Sequence, residues 1–169
     1  MSYDETLGVK QKPGRFMSGS IVKIFLIMVI SIFLFSCSGN RPDNLGITNE
    51  ELAACPSSPN CVSSDASDEL HQISALELAK PPEEAWKVVR ALVLKLPRTR
   101  IVNEKAGYMH AECQTAVMGF VDDLELHLRE ADGVIAMRSA SRLGYSDFGV
   151  NRKRLEGLRV QLVNDGITK

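Results

Sequence analysis

Two stretches of the chain repeat apolar residues every three or four positions, which is the spacing of an amphipathic helix. The first follows Pro-Pro-Glu-Glu at residues 81–84, where proline suits a first turn and the carboxylates complement the positive end of the helix dipole. The second covers residues 150–163, and Ser146 or Asp147 can cap its start. The apolar stripes are Ala85, Val89, Leu92 and Leu96 in the first helix and Leu155, Leu158 and Leu162 in the second.

Most of the chain between these helices alternates apolar and polar residues, as a strand with one buried face does. The sequence therefore predicts an α+β fold, in which an antiparallel β-sheet of about four to five strands has two helices packed on one face. Gly157 lies inside the second helix, and we expect it to pack closely against the sheet because an exposed glycine weakens a helix. The predicted strands are residues 71–78, 99–103, 108–117, 121–129 and 134–141.

A tight turn is predicted at Asp132-Gly133, because these residues tolerate the positive φ that two-residue hairpins require. In the two strands that this turn joins, the numbers of each pair of facing residues then add up to an odd value. A slip of the pairing by two residues does not change which side chains share a face. One face is apolar, and the other brings carboxylates opposite arginines, either as solvated ion pairs or as a polar pocket. The apolar face holds Leu126, Leu128, Ile135 and Met137, and the polar face holds Asp123, Glu125, His127, Arg138 and Arg142.

The start of the chain has the composition of an export signal. Residues 24–35 are almost wholly apolar but fall short of the roughly 20 residues that a membrane span needs. Residues 34–37, Leu-Phe-Ser-Cys, resemble a bacterial lipobox, which is cleaved before its cysteine so that the cysteine can be acylated. We expect a signal peptide over residues 1–36, with Met17 as its true start, and lipidation at Cys37. The alternative is a short transmembrane anchor that the mature chain retains.

The charge balance argues against one class of partner. Cleavage before Cys37 leaves 16 basic and 19 acidic residues, so the formal net charge changes from −1 to −3. Nucleic-acid binding relies on neutralising phosphates, so no nucleic acid is expected as a partner. Two or three acyl chains on the cysteine give firm membrane anchoring, whereas one chain is marginal.

The residues that follow the lipidation site suggest where the anchor is held. Ser38 and Gly39 lack the aspartate that retains such lipoproteins in the inner membrane, so we expect a cell-envelope protein on the periplasmic face of the outer membrane. Residues 37–54 are rich in Gly, Asn, Pro and Asp and predict a mobile, lipidated tether. Residues 55–169 are expected to form a single α+β domain.

The remaining cysteines differ in their surroundings. Cys55 and Cys61 enclose two prolines in Cys-Pro-Ser-Ser-Pro-Asn-Cys, and a disulfide between them suits an oxidising envelope. Closing so short a loop contributes about 2 kcal/mol. Metal binding by this pair is the alternative, although no further His or Cys shows ligand spacing. Cys113 falls on the apolar face of its strand, as an inert buried thiol does.

Three ordered motifs carry a resemblance to a known family. They are Cys-Pro-Ser-Ser-Pro-Asn-Cys-Val-Ser-Ser at residues 55–64, Gly-Phe-Val-Asp-Asp at residues 119–123, and the run from Arg138 to Arg152. Together they resemble domain-of-unknown-function family 1499 over roughly residues 55–163. The resemblance implies that a bacterial envelope setting is ordinary, and it implies no established activity. It draws attention to Asn60, Asp122, Asp123, Arg138, Ser139, Arg142, Tyr145, Asp147, Asn151 and Arg152.

The polar corner at the end of the last strand is the candidate functional site. Bidentate guanidinium groups, hydroxyls and the helix start predict a noncatalytic site for an anionic small molecule or a lipid headgroup, with no cofactor and no metal. One alternative is an envelope hydrolase that uses Asp122, Asp123 and Glu125, although neighbouring strand residues point to opposite faces unless a bulge intervenes. The other is a purely structural protein. The predicted ligand-binding residues are Asp123, Arg138, Ser139, Arg142, Tyr145, Asn151 and Arg152.

Overall fold

The structure is a computed structural model that describes Lys23, Ile24 and residues 39–169. Almost all of the predicted signal peptide at residues 1–36 and the predicted lipidation site Cys37 therefore lie outside the described residues. Among the helices that the structure does describe, none combines the length and the apolar character that a membrane crossing requires.

Residues 39–169 form an α+β fold built on one six-stranded antiparallel sheet, with a separate two-stranded hairpin. The strands are β1 (Ile47–Thr48), β2 (Glu51–Leu52), β3 (Cys61–Ser63), β4 (Leu76–Glu77), β5 (Thr99–Lys105), β6 (Tyr108–Gln114), β7 (Val121–Arg129) and β8 (Val134–Ser141), and the helices are α1 (Pro82–Lys95) and α2 (Val150–Asn164). The sheet follows the order β3-β8-β7-β6-β5, and β4 also pairs with β8. The predicted class is confirmed, but the sheet has six strands instead of about four to five, because β3 is too short to show alternation. The strand predicted at residues 71–78 is present only as β4.

The register of β7 against β8 confirms the predicted sharing of faces. Arg129 faces Val134, so the connecting loop has four residues rather than the two expected at Asp132-Gly133. This is a slip of two residues, which leaves the alternation intact. Leu126 consequently pairs with Met137 on the apolar face.

Both helices cover this apolar face and build the main core. Each helix contributes three fully buried apolar side chains, and burying one of the valines or leucines among them stabilises the fold by about 1.5–3 kcal/mol. Gly157 corrects our expectation, because it is exposed and a Cβ atom placed there would meet nothing within 4 Å. The buried helix residues are Ala85, Val89, Val93, Leu155, Leu158 and Leu162.

The opposite face of the sheet is also buried, beneath residues 39–54, which we call the cover segment. We expected this stretch to be a mobile tether, but Leu52 is buried in a small cluster with Tyr108 and Ala136. The hairpin of β1 and β2 belongs to the segment. The predicted disulfide between Cys55 and Cys61 is confirmed and follows the cover segment directly, with the two Cα atoms 5.6 Å apart.

Candidate functional site

Strand alternation divides the predicted site between two faces of β8. Arg138 and Arg142 lie on the face beneath the cover segment, whereas Ser139 and Ser141 lie on the face beneath the helices. Asp123 shares the first face with the two arginines. The structure therefore brings three of the seven predicted ligand-binding residues together.

Glu125 and Arg138 form a buried ion pair at the centre of the covered face. Arg138 Nη1 donates to Glu125 Oε2 at 2.8 Å, and neither side chain is more than 5% exposed. Tyr108 Oη and the backbone NH of Gly46 also donate to Glu125 Oε1, at 2.7 and 2.8 Å. Burial and the neighbouring Glu125 charge raise the pKa of Tyr108. The charge of Arg138 is thus balanced within the fold, as the predicted cross-strand pairing required.

Arg142 connects two carboxylates on the same face. It donates to Asp123 through Nε at 2.9 Å and Nη2 at 2.7 Å, and Nη2 also lies 2.6 Å from Glu112 Oε1. Burial opposes the charge of Asp123, but hydrogen bonds from Arg142 and His110 outweigh it and lower the pKa of Asp123. These bonds raise the pKa of Arg142, which remains charged.

Three arginines converge on Glu112. Besides Arg142, Arg100 donates to Oε2 at 2.6 and 3.0 Å, and Arg41 of the cover segment donates to Oε1 at 2.5 and 3.1 Å. Burial opposes ionisation of Glu112, but these guanidinium groups outweigh it and lower the pKa of Glu112 to about 2. Glu112 is therefore a carboxylate with more positive partners than it can neutralise.

These residues line an open recess of about 560 Å³ at one end of the sheet. Arg98 completes the set; its backbone has a φ of 50°, and its Nε donates to the Gln114 carbonyl at 3.0 Å. We call this the arginine recess. Its charged lining residues are four arginines and one glutamate, namely Arg41, Arg98, Arg100, Arg142 and Glu112.

A second, smaller cavity of about 300 Å³ lies beneath the cover segment. Asp123, Arg138 and Arg142 line it, so Arg142 is a wall shared with the arginine recess. Arg138 Nε is buried and has no hydrogen-bond partner within the described part of the chain.

On the opposite face, Asn151 is the centre of a saturated network that we call the helix-side network. Asn151 Oδ1 accepts from Ser139 Oγ and from Arg154 Nη1, both at 2.6 Å. Asn151 Nδ2 donates to Ser141 Oγ at 2.9 Å. Arg154 Nη2 then reaches Asp122 Oδ2 at 2.6 Å. These bonds join α2 to β7 and β8, and they occupy the polar atoms that we had assigned to a ligand. The network consists of Asp122, Ser139, Ser141, Asn151 and Arg154.

The two remaining predicted residues lie apart from the recess. Tyr145 is 76% exposed in the loop before α2. Arg152 donates to the carbonyls of Gln72 and Leu70, at 2.8 and 3.0 Å. The N-cap residue of α2 is Gly149, not the predicted Ser146 or Asp147. Asp147 still accepts from the backbone NH groups of Gly149 and Asn151, at 2.9 and 2.8 Å.

Our sequence reasoning overlooked four recess residues. Glu112 falls within the predicted strand at residues 108–117 and Arg41 within the predicted tether at residues 37–54, and neither was assigned a partner. Arg98 and Arg100 stand at the start of β5, and antiparallel pairing of Arg100 with Glu112 brings the two together. Two arginines at a strand end beside an unpaired glutamate were the available signal.

The carboxylates do not form the paired acid site of a hydrolase. Asp122 and Asp123 lie on opposite faces because β7 pairs without a bulge, and each carboxylate is bound by an arginine. Cys113 is buried, and burial raises the pKa of its thiol, as expected of an inert cysteine. Within the described residues, no group of three or more His, Cys, Asp or Glu side chains could hold a metal ion.

Comparison with known proteins gives one match. Residues 51–162 match the model of a family described as "Protein of unknown function (DUF1499)". Neither the curated proteins nor the solved structures contain a match to the chain. The matched range includes Arg98, Arg100, Glu112 and Arg142 but begins after Arg41.

Proposed function

The chain belongs to the DUF1499 family of proteins of unknown function, and from this premise we propose that it is a noncatalytic binding protein whose arginine recess holds an anionic group. The sequence of residues 34–37 supports a lipoprotein anchored at Cys37 in the bacterial envelope, on the periplasmic face of the outer membrane. The anchor makes a membrane the first partner of the protein.

The observation that carries this proposal is the excess of guanidinium groups around Glu112. Even when Asp123 is counted with Glu112, the recess holds four arginines against two carboxylates. A ligand with one or two negative charges restores the balance. Phosphate and carboxylate groups suit the planar fork of arginine, which binds them through two parallel hydrogen bonds.

The arginines differ in their freedom to move. The Arg142 side chain is only 6% exposed and is held by two carboxylates, so it provides a fixed wall. The side chains of Arg100 and Arg41 are 75% and 50% exposed. Exposed pairs of this kind contribute only about 0–1 kcal/mol, so either arginine can exchange Glu112 for an incoming anion at little cost.

The ligand must compete with Glu112, which remains ionised above about pH 2. This competition favours a group that offers several acceptor oxygens at once, as a phosphate ester does. The same chemistry occurs in free phosphate esters and in the headgroups of anionic lipids. Both sources therefore belong in the test.

The test is calorimetric titration of the purified full chain with inorganic phosphate, with glycerol phosphate, and with a short-chain phosphatidylglycerol. Arg100→Gln removes a charge-assisted hydrogen bond of about 1.5–3 kcal/mol, so we expect binding at least about tenfold weaker. The matched control is Arg90→Gln, because Arg90 is also exposed and pairs with a carboxylate, Glu104, at 2.8 Å. This control should bind as the unmodified protein does.

The two ligand sources give different outcomes. Binding of phosphate and glycerol phosphate indicates a free ester as ligand, whereas binding of the phosphatidylglycerol alone indicates a lipid headgroup. If no anion binds, or if both variants bind equally well, the proposal is wrong and the recess is a structural ion cluster.

A further inference from the structure

The end of the sheet beside the arginine recess carries a concentration of exposed apolar side chains. Twelve large apolar side chains of the described residues are exposed, and six of them lie between residues 117 and 150. Val117 is 91% exposed and Phe148 is 98% exposed. Such a patch is uncommon on a surface that meets only water and marks an interaction site. The six are Val117, Met118, Leu143, Tyr145, Phe148 and Val150.

Two loops present five of these side chains, Val150 being the first residue of α2, and the fold holds both loops in place. In the loop at residues 115–120, the NH of Thr115 donates to the Phe120 carbonyl at 2.8 Å, and the NH of Phe120 donates to Thr115 Oγ1 at 2.9 Å. In the loop at residues 142–149, Asn60 Nδ2 donates to the Gly144 carbonyl at 2.7 Å. The exposure therefore belongs to ordered loops.

The backbone conformation of Phe148 also favours exposure of its side chain. Its φ is 53°, in the left-handed region that bulky residues rarely adopt, and its ring has no packing in the fold to compensate. The conformation directs a large ring away from the domain. A partner that covers the ring supplies the missing contacts.

The continuous described range, residues 39–169, begins at this same end of the sheet. Gly39 lies against the second loop, since a Cβ atom on it would be 2.9 Å from Arg142 Cβ and 3.1 Å from Leu143 Cγ. Cys37, the predicted lipidation site, is two residues ahead and so within about 7 Å along the chain. A lipid attached at Cys37 starts beside the exposed apolar side chains.

From these observations we infer that the two loops at residues 115–120 and 142–149 insert into the surface of a lipid bilayer. Val117, Met118 and Phe148 enter the apolar layer, and Tyr145 lies at the level of the headgroups, where amphipathic rings are favoured. The loops also enclose an apolar cavity of about 360 Å³, which can receive the end of an acyl chain.

Charge at the rim favours lipid over a protein partner. The ends of β5, β6, β7 and β8 that adjoin these loops also line the arginine recess, through Thr99, Gln114, Val121 and Arg142. An apolar tip bordered by arginines matches the order of layers in an anionic bilayer, with acyl chains below phosphate groups. The inference does not require the recess to hold a ligand, so either proposal can fail without the other.

Tryptophan fluorescence can test the insertion in the full chain, because Trp86 is its single tryptophan. In a Trp86→Phe background, Phe148→Trp or Val117→Trp places the reporter on a loop. The control is Val160→Trp, since Val160 is 58% exposed on α2 and lies about 15 Å along the helix from Val150. Each variant is reconstituted into vesicles of phosphatidylethanolamine and phosphatidylglycerol, with or without bromine on the acyl chains.

We expect emission from positions 148 and 117 to shift to the blue and to lose roughly half its intensity with brominated lipid, because the rings lie among acyl chains. Emission from position 160 should change in neither respect. Unchanged emission at both loop positions, or no association with vesicles, overturns the inference. A blue shift without quenching also overturns it, because the rings then contact protein.

Discussion

Two clusters of arginines and carboxylates lie on opposite faces of the same strands, and they differ in how completely they are satisfied. In the helix-side network, Arg154 is matched to Asp122, and Asn151 fills the space between strand and helix. In the arginine recess, three guanidinium groups share the single carboxylate of Glu112. The residue types are the same, but only the second cluster has unmatched charge.

The comparison shows that burial and stoichiometry separate structural polar groups from groups able to bind a ligand. Leaving a buried polar group without its hydrogen-bond partners lowers the free energy of unfolding by about 1–3 kcal/mol, so the helix-side network contributes to stability. Exposed pairs such as Arg100 with Glu112 contribute about 0–1 kcal/mol. The recess is therefore the face on which an anion can replace an existing contact.

The largest expected effect concerns Asn151. We expect Asn151→Ala to lower the free energy of unfolding by about 3 kcal/mol, because it leaves buried donors and acceptors of the helix-side network without partners. Denaturant unfolding followed by circular dichroism measures the change. Gln161→Ala is the control, since Gln161 is exposed on the same helix and its side chain bonds to no residue of the described chain but Asp165. A loss below about 1 kcal/mol would show that the network is not a structural unit.

The next effect is a dependence of stability on pH that originates at Glu112. Its pKa falls from an ordinary 4.5 to about 2 on folding, so its contribution is complete above pH 4.5 and is lost as the pH falls towards 2. We expect unfolding measurements across this range to show a loss on the order of 2 kcal/mol. The Asp123 carboxyl, whose pKa is also lowered, acts in the same direction.

Two substitutions test whether this pH dependence originates at Glu112. Glu112→Gln should reduce the slope of the curve between pH 4.5 and 2. Glu156→Gln should leave the slope as it is, because Glu156 is half-exposed and, among the described residues, pairs with Arg159 alone. An unchanged curve for Glu112→Gln would mean that the three arginines do not hold the Glu112 charge in solution.

The smallest effect on stability should come from the recess itself. Arg100→Gln removes one of three partners of Glu112, and the Arg100 side chain is 75% exposed, so we expect a change within about 1 kcal/mol. Thermal or denaturant unfolding measures it beside the binding titration. A loss above about 2 kcal/mol would make Arg100 a structural residue and weaken the contrast between the two clusters.

The covered face could be predicted in part from the sequence. Alternation in β7 and β8 placed Glu125 and Arg138 on one face. The four-residue loop keeps them there, because it is two residues longer than the expected turn. Such reasoning works because a strand has a period of two. It assigns residues to faces and gives no information on what covers a face.

The cover segment was the part that the pattern could not provide. Its contacts are backbone and long-range ones, such as the Gly46 NH to Glu125 and Arg41 to Glu112, 71 residues away. No local period encodes them. The polar face was expected to hold either solvated ion pairs or a polar pocket, and neither alternative included a covering segment. Asp123, Glu125 and His127 are all buried.

The third motif misled the prediction of the site for a geometric reason. Neighbours in the run from residue 138 to residue 152 were treated as one corner, but Arg138 and Ser139 point to opposite sides of β8. The motif therefore contributes to two clusters. Residues of the motif lie together only where alternation places them on the same face, as for Arg138 and Arg142, which line one cavity with Asp123.

The disulfide between Cys55 and Cys61 limits the length of chain that can separate from the sheet. Because it ties residue 55 to β3, only the sixteen residues 39–54 can lift from the sheet without unfolding the domain. Fully extended, they span roughly 50–60 Å. Under the proposed anchoring at Cys37, the domain of the oxidised protein lies close to the membrane while the cover segment is bound to the sheet. Once the segment is released, this span limits how far the domain can move away. Reduction of the disulfide lengthens the segment that can be released by the residues between Cys55 and Cys61.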